Sequence, residues 1–139
     1  VDGTAVDALG GLAKLAGTVL LALALAGCDD VDNGAFDSAY ASHTAAEVTV
    51  RGAVTALLPD APAGADGPHQ RFDVGIDGVT VEIDHNLDLA QRVPLHLGDT
   101  VVVHGQFEPD PGHPVIHYTH HATGRHEGGY VQVSGATYQ

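Results

Sequence analysis

The sequence predicts a mainly β domain, a small OB-fold-like five-stranded barrel with a short N-terminal helix, preceded by a signal peptide. Three observations predict it. From Glu47 onward, apolar residues alternate with polar ones at period two, as in strands with one buried face. Asp77-Gly78 and Gly98-Asp99 punctuate those runs as turns. Gly52 inside the first run allows a bulge or a strong bend, and Asn86 to Arg92 suits a short helical turn after the third strand, both of which favour an OB-fold. A generic small β-sandwich is the alternative reading.

The elements follow in chain order. Residues 1–27 read as the signal peptide of a lipoprotein. Leu15 to Gly27 is a weakly polar to apolar run of 13 residues after Lys14, whereas a membrane-spanning helix needs roughly 18 to 20. It closes with Leu25-Ala26-Gly27-Cys28, which resembles a lipobox. In a lipobox the cysteine thiol takes diacylglycerol and the chain is cut before it, so Cys28 is the expected lipidation site and the membrane the expected partner through that lipid. Asp29, directly after it, resembles an inner-membrane retention signal. The expected location is therefore the cell envelope, lipid-anchored on the periplasmic side.

Residues 28–46 read as a tether with a short helix: Asp29 to Gly34 is acidic, and Phe36 to Ala46 has few helix breakers. Residues 47–139 read as the barrel domain. Val48, Val50 and Val54 begin its first strand. Pro59 to Pro68 is a loop by composition. Phe72, Val74 and Ile76 pair through the Asp77-Gly78 turn with Val79, Val81 and Ile83. Val101, Val103 and Phe107 form another strand, with Gly105 inside it. Val115 to His121 is β-branched enough for one more, and Tyr130 to Tyr138 suits a last hairpin around Ser134-Gly135.

Composition narrows the function. The single cysteine excludes an internal disulfide, and with no tryptophan or methionine the core must come from Val, Ile, Leu and Phe. The formal charge is −13, and loss of residues 1–27 removes Asp2, Asp7 and Lys14 to leave −12. Such a surface repels phosphate backbones, and a basic groove with stacking aromatics is missing, so nucleic acid is not an expected partner. No phosphate loop and no G-x-S-x-G is present.

Several polar motifs carry a family resemblance: His69-Gln70-Arg71-Phe72, His85-Asn86-Leu87-Asp88-Leu89-Ala90, Arg92-Val93-Pro94-Leu95, Gly98-Asp99, and Val115-Ile116-His117-Tyr118-Thr119-His120-His121 followed by Gly124-Arg125-His126. Gly129-Tyr130 and Thr137-Tyr138-Gln139 close the match. Over roughly residues 47 to 139 these motifs resemble DUF3465, a family of small bacterial envelope proteins of unknown function. The resemblance implies a secreted or lipid-anchored protein with an OB-like barrel, and it supplies no activity. Tyr118 and Tyr130 stand where tryptophan is typical of that family, and Asp110 to Pro114 replaces a lysine- and glycine-containing loop.

The chemistry-bearing residues fall in these motifs. His117, His120, His121 and His126 supply enough imidazoles for zinc or another divalent metal. In a continuous strand, though, His117 and His121 share one face and His120 takes the other, so convergence requires the strand to end and turn. His85 has the parity of Val79, Val81 and Ile83, so it points inward and needs partners on both nitrogens; Asn86, Asp88 or His117 are candidates. Arg92 stands at helical i, i+4 spacing from Asp88, which suits an ion pair. His69, Arg71 and Arg125 complete the candidate ligand-binding set with His85, Asn86, Asp88 and Arg92, and Arg71 or Arg125 suits an anion.

Two functions fit. The first is an envelope binding module without catalysis, whose His/Arg-rich site takes a small anionic ligand or an envelope protein. The second is a metal-dependent hydrolase, with an ion on three of the clustered histidines activating water. Ten histidines also allow pH sensing. Whether the protein is an enzyme stays open at this point.

Overall fold

Apolar alternation closes into a ring of strands. The computed structural model describes residues 30–64 and 66–139; the expected signal peptide, Cys28 and Asp29 lie outside the described residues. Among the described residues one helix, α1 (Asn33–Ser42), precedes eight strands: β1 (Ala46–Leu57), β2 (Ala61–Gly64), β3 (Gly67–Ile76), β4 (Val79–Asn86), β5 (Thr100–Glu108), β6 (Val115–His117), β7 (Tyr130–Val133) and β8 (Ala136–Tyr138). Strands β1, β3, β4, β6 and β5 pair in that order, and β5 pairs back to β1. All those pairings are antiparallel except β4 with β6. This five-stranded closed barrel has the OB-like plan the sequence predicts. Among the described residues no helix is long and apolar enough to cross a membrane.

The hairpins follow their turn chemistry. Ile76 pairs with Val79 across Asp77-Gly78, whose two φ angles of 46° and 88° are both positive, as a two-residue hairpin needs to match strand twist. Ser134-Gly135 does the same between β7 and β8. The core is drawn from Val, Ile and Phe as composition requires, with Val50, Phe72, Val74, Ile83, Phe107 and Ile116 among its fully buried members.

Five local expectations are corrected. No helix follows β4; the Asn86–Arg92 segment makes one turn, closed by the Ala90 N–H on the Asn86 carbonyl, and then extends. The proline at 94 and the need to place Val93 in the core stop it there. The Pro59–Pro68 loop contains β2, which extends the edge of β3. The bulge in β1 falls between Val54 and Ala56 rather than at Gly52. Gly52 stands where β1 passes from β5 to β3: a Cβ there would collide with the Gly75 carbonyl, so its absence lets β3 approach. Strand β6 stops at His117 instead of running to His121, because Tyr118 takes a left-handed conformation at φ 58°.

The fifth correction concerns the tether. Helix α1 starts at Asn33, within the acidic stretch, because Asp32 caps it by accepting from the Ala35 N–H at 2.9 Å. The Asp32 N–H donates to the Thr49 carbonyl at 2.8 Å. The Asn33 amide exchanges two hydrogen bonds with the backbone of Arg51, at 3.0 and 2.9 Å. The helix is thereby docked on β1, and it buries Phe36 edge-on against Phe107 at a centroid distance of 5.2 Å. Phe36→Ala should therefore destabilise the domain by roughly 3–5 kcal/mol, read from urea denaturation. A loss below about 1 kcal/mol would show that α1 is not part of the cooperative unit.

Candidate functional site

Three stretches far apart in sequence line one cleft of about 570 Å³. Asp66 comes from the loop before β3, and Gly67 and His69 from β3 itself. Strand β4 and the turn after it bring Asp84, Asn86, Asp88 and Leu89. Strand β6 and the loop after it bring His117, Tyr118, His120, Thr123, Arg125 and His126. The cleft lies on the outer face of β3 and β4, the second and third strands of the barrel, where OB-folds commonly hold ligands.

The walls are fixed by hydrogen bonds between the stretches. The Asn86 amide donates to the Asp66 carbonyl at 2.7 Å, and its oxygen accepts from the Asp88 N–H at 2.8 Å. The positive φ at Tyr118 turns the chain out of β6 toward the cleft. Tyr118 then sits between two imidazoles, stacked on His117 at 4.0 Å and on His126 at 4.2 Å. Both faces of the phenol are covered, so this ring offers no platform for a base or sugar. Glycine at 129 accommodates that turn, since a Cβ there would collide with the Tyr118 carbonyl.

Beneath the cleft, His85 is fully buried. Its Nε2–H donates to the Gln91 carbonyl at 2.9 Å, and its Nδ1 accepts from the Thr119 hydroxyl at 2.8 Å. Inward placement and double satisfaction match the sequence reading, but the partners are Gln91 and Thr119, not Asn86, Asp88 or His117. Gln70, opposite His85 across the hairpin, pins the following loop by exchanging two 2.8 Å hydrogen bonds with the Val93 backbone. His85 thus holds the cleft's floor without lining it.

The outer face beside the cleft is a chain of charges. Buried Glu82 accepts from the Arg71 Nε and stands 3.1 Å from the His113 Nε2. Burial is the largest single influence and opposes its ionisation, yet the hydrogen bonds from Arg71 and Asp84, with the charges of Arg71 and His113, together outweigh it and hold its carboxyl below the usual range. Burial, then the hydrogen bond to Glu82 and its charge, push Asp84 up to about 6. Among the described residues, two buried side-chain atoms lack a hydrogen-bond partner, Asp84 Oδ1 and His117 Nε2. Each has a charged side chain just past reach: Arg71 lies 3.7 Å from Asp84 and Glu108 lies 3.6 Å from His117.

Of the residues the sequence singled out, the cleft collects His69, Asn86, Asp88, His117, His120, Arg125 and His126. Arg71 is spent on Glu82. Arg92 pairs with Asp60 on the surface, not with Asp88, because the helix that would have aligned them does not form. His121 is exposed; its carbonyl accepts from the His120 Nδ1–H at 2.9 Å, and its ring stands edge-on to that of His120 at 6.1 Å. Among the described residues no three His, Cys, Asp or Glu side chains stand together as a ready metal site. Sequence reasoning missed Asp66, Asp84, Tyr118 and Thr123. Asp84 was within reach, since the two-residue turn sets it opposite Arg71; the others depend on the backbone reversal at Tyr118 or on the loop stitched by Asn86.

Residues 19–139 match the family described as a protein of unknown function, DUF3465. The chain belongs to the DUF3465 family. No curated protein and no solved structure matches it. The matched region of this DUF3465 protein includes α1, the whole barrel and every cleft residue.

Burial lowers the pKa of His85, His117 and His120, so all three are held neutral in the fold. The unfolded chain protonates them near pH 6.5, binds more protons than the native state, and gains on it as pH falls. Asp84 acts in the opposite sense: its raised pKa makes the native state the stronger proton binder between about 6 and the ordinary value of 3.8. The three imidazoles outnumber it, so the urea midpoint should fall from about pH 7.5 to about pH 5.5. Asp84→Asn should remove the contribution below pH 6 that opposes this fall, making the acid loss steeper. A midpoint flat or rising over that range would refute the neutral-imidazole assignment.

Proposed function

We propose that this protein is a ligand-binding module of the cell envelope, tethered to the membrane by a lipid on Cys28 after removal of residues 1–27. The observation that carries the binding reading is the convergence of residues from three separate stretches on one cleft. A cleft of this size suits a small molecule or a short segment of an envelope protein rather than a polymer.

Arg125 supplies the anionic side of the recognition. Arg71 and Arg92 are neutralised by carboxylates, whereas Arg125 makes no ion pair among the described residues and projects from the loop that rims the cleft. An unpaired guanidinium in a chain of this acidity is a suitable partner for a phosphate or carboxylate group. Binding, not catalysis, fits best: the carboxyl pair at Glu82 and Asp84 is tied to Arg71 and His113.

Inorganic phosphate added to the isotopically labelled protein should shift amide resonances of residues 66–69 and 120–126, and Arg125→Ala should weaken that response about tenfold, near 1.4 kcal/mol. Shifts scattered over the surface, or none, would end the binding reading. The tether is tested separately: the full chain made in a bacterial host should partition into detergent, and Cys28→Ser should move it to the aqueous phase.

A further inference from the structure

The cleft is rich in acceptors and poor in donors. The His69 Nδ1 lies 3.0 Å from the Gly67 carbonyl, and the His120 Nδ1 lies 2.9 Å from the His121 carbonyl. A carbonyl oxygen has no proton to give, so both rings carry their proton on Nδ1 and a lone pair on Nε2. His120 is only 3% exposed, yet its Nε2 has no hydrogen-bond partner among the described residues. That atom is not one of the sealed, unpartnered ones, so it opens on the cleft that the ring lines. A lone pair on a ring this buried is an acceptor left for a donor on a ligand.

Carboxyl groups add to these acceptors. Asp84 lines the cleft from β4, and its Oδ1 is without a hydrogen-bond partner. A Cβ at Gly67 would collide with the Asp88 Oδ2, so the Asp88 carboxylate lies against bare backbone beside Asp66. Neither Asp66 nor Asp88 forms an ion pair among the described residues. Burial dominates the ionisation of both Asp84 and His120, and the charge of His69 acts on each, so these three groups share one part of the cleft. The guanidinium stands on the other wall, in the loop after β6, and no ion pair joins Arg125 to any of the carboxyls. Opposite charges therefore line one cleft without neutralising each other.

We infer that the cleft takes a small zwitterion, with its ammonium against the carboxyls of the β3–β4 wall and its anionic group at Arg125. This rests on the reading of the cleft as a binding site and names the chemistry of its ligand. An ammonium brings three donors and no acceptor, which suits a wall of carboxyls and imidazole lone pairs. A lone anion would meet three carboxyls with one guanidinium to hold it, and a lone cation would leave that guanidinium unanswered. Burial, then the hydrogen bond and charge of Glu82, keep Asp84 protonated up to about 6. A ligand ammonium supplies the cation that Asp84 lacks and favours its charged form. A cleft of about 570 Å³ holds one such molecule. The chemistry has two sources: amino acids and short peptides carry it with a carboxylate, phosphoethanolamine with a phosphate.

The test is an amide-resonance titration of the isotopically labelled full chain, near neutral pH, with alanyl-alanine and with O-phosphoethanolamine. At least one should saturate, with shifts at residues 66–69, 84–88 and 120–126, and the tighter of the two identifies the source. N-acetylation of that ligand removes its cation and should weaken binding by about tenfold or more. The double variant Asp84→Asn/Asp88→Asn should do the same while keeping the native circular dichroism. Arg125→Ala, at an exposed position, should weaken the free ligand by about tenfold yet leave its preference over the acetylated form. Should the double variant fail to fold, that preference and the Arg125→Ala result decide the question. No binding of either probe, equal binding of the acetylated form, or shifts outside the cleft overturns the inference. Phosphate shifts at the cleft alongside any of those results would remove this inference alone; absence of phosphate shifts as well would remove the binding reading with it.

Discussion

Strand β6 is three residues long and hydrogen-bonded along both edges. It runs parallel to β4 and antiparallel to β5, and without it the ring of strands would be an open sheet with two exposed edges. Ile116 fills the barrel at this seam, fully buried between residues of β4 and β5. The same three residues set the functional wall. His117 is the first outward residue after Ile116, and Tyr118 reverses the chain directly behind it. Barrel closure and cleft formation therefore share one short segment, and a change that loosened β6 would disturb both.

The cleft is organised by hydrogen bonds that decide where protons sit. Backbone carbonyls fix three imidazoles and a carboxylate faces the fourth, so the rings present lone pairs of known position instead of averaging over tautomers. The Tyr118 ring, held between His117 and His126, limits how those rings can turn. Next to them, Arg71 and His113 anchor Glu82, and Asp84 is left as the carboxyl that retains its proton to mild acidity. A surface this acidic would otherwise repel itself across β3 and β4; the Arg71–Glu82 contact lets the carboxylates gather there.

Much of the fold was legible in the residues themselves. The Asp77-Gly78 turn fixes the β3–β4 register residue by residue, and counting outward from it places His69 opposite Asn86 and Arg71 opposite Asp84. Alternation identified the inward set, including His85. Less was legible where a long-range contact overrides local preference. Asp32 and Asn33 read as linker because their composition is polar, but their side chains cap α1 and pair with β1. Val115 to His121 read as one strand because β-branched residues are frequent there, and nothing local announces the left-handed backbone at Tyr118.

The sequence by itself determined the strands, the hairpin registers and the inventory of imidazoles and guanidiniums, because periodicity and turn chemistry are local properties of the chain. Only the tertiary structure decided which of those groups meet. It sent Arg71 to Glu82 and Arg92 to Asp60, left Arg125 without an ion pair among the described residues, and brought His69 across from β3 to face the 120–126 loop. The reason is physical: proximity across a closed barrel depends on the order in which strands pair and on one reversed residue at the end of β6, and neither is encoded in the spacing of residues along a single segment.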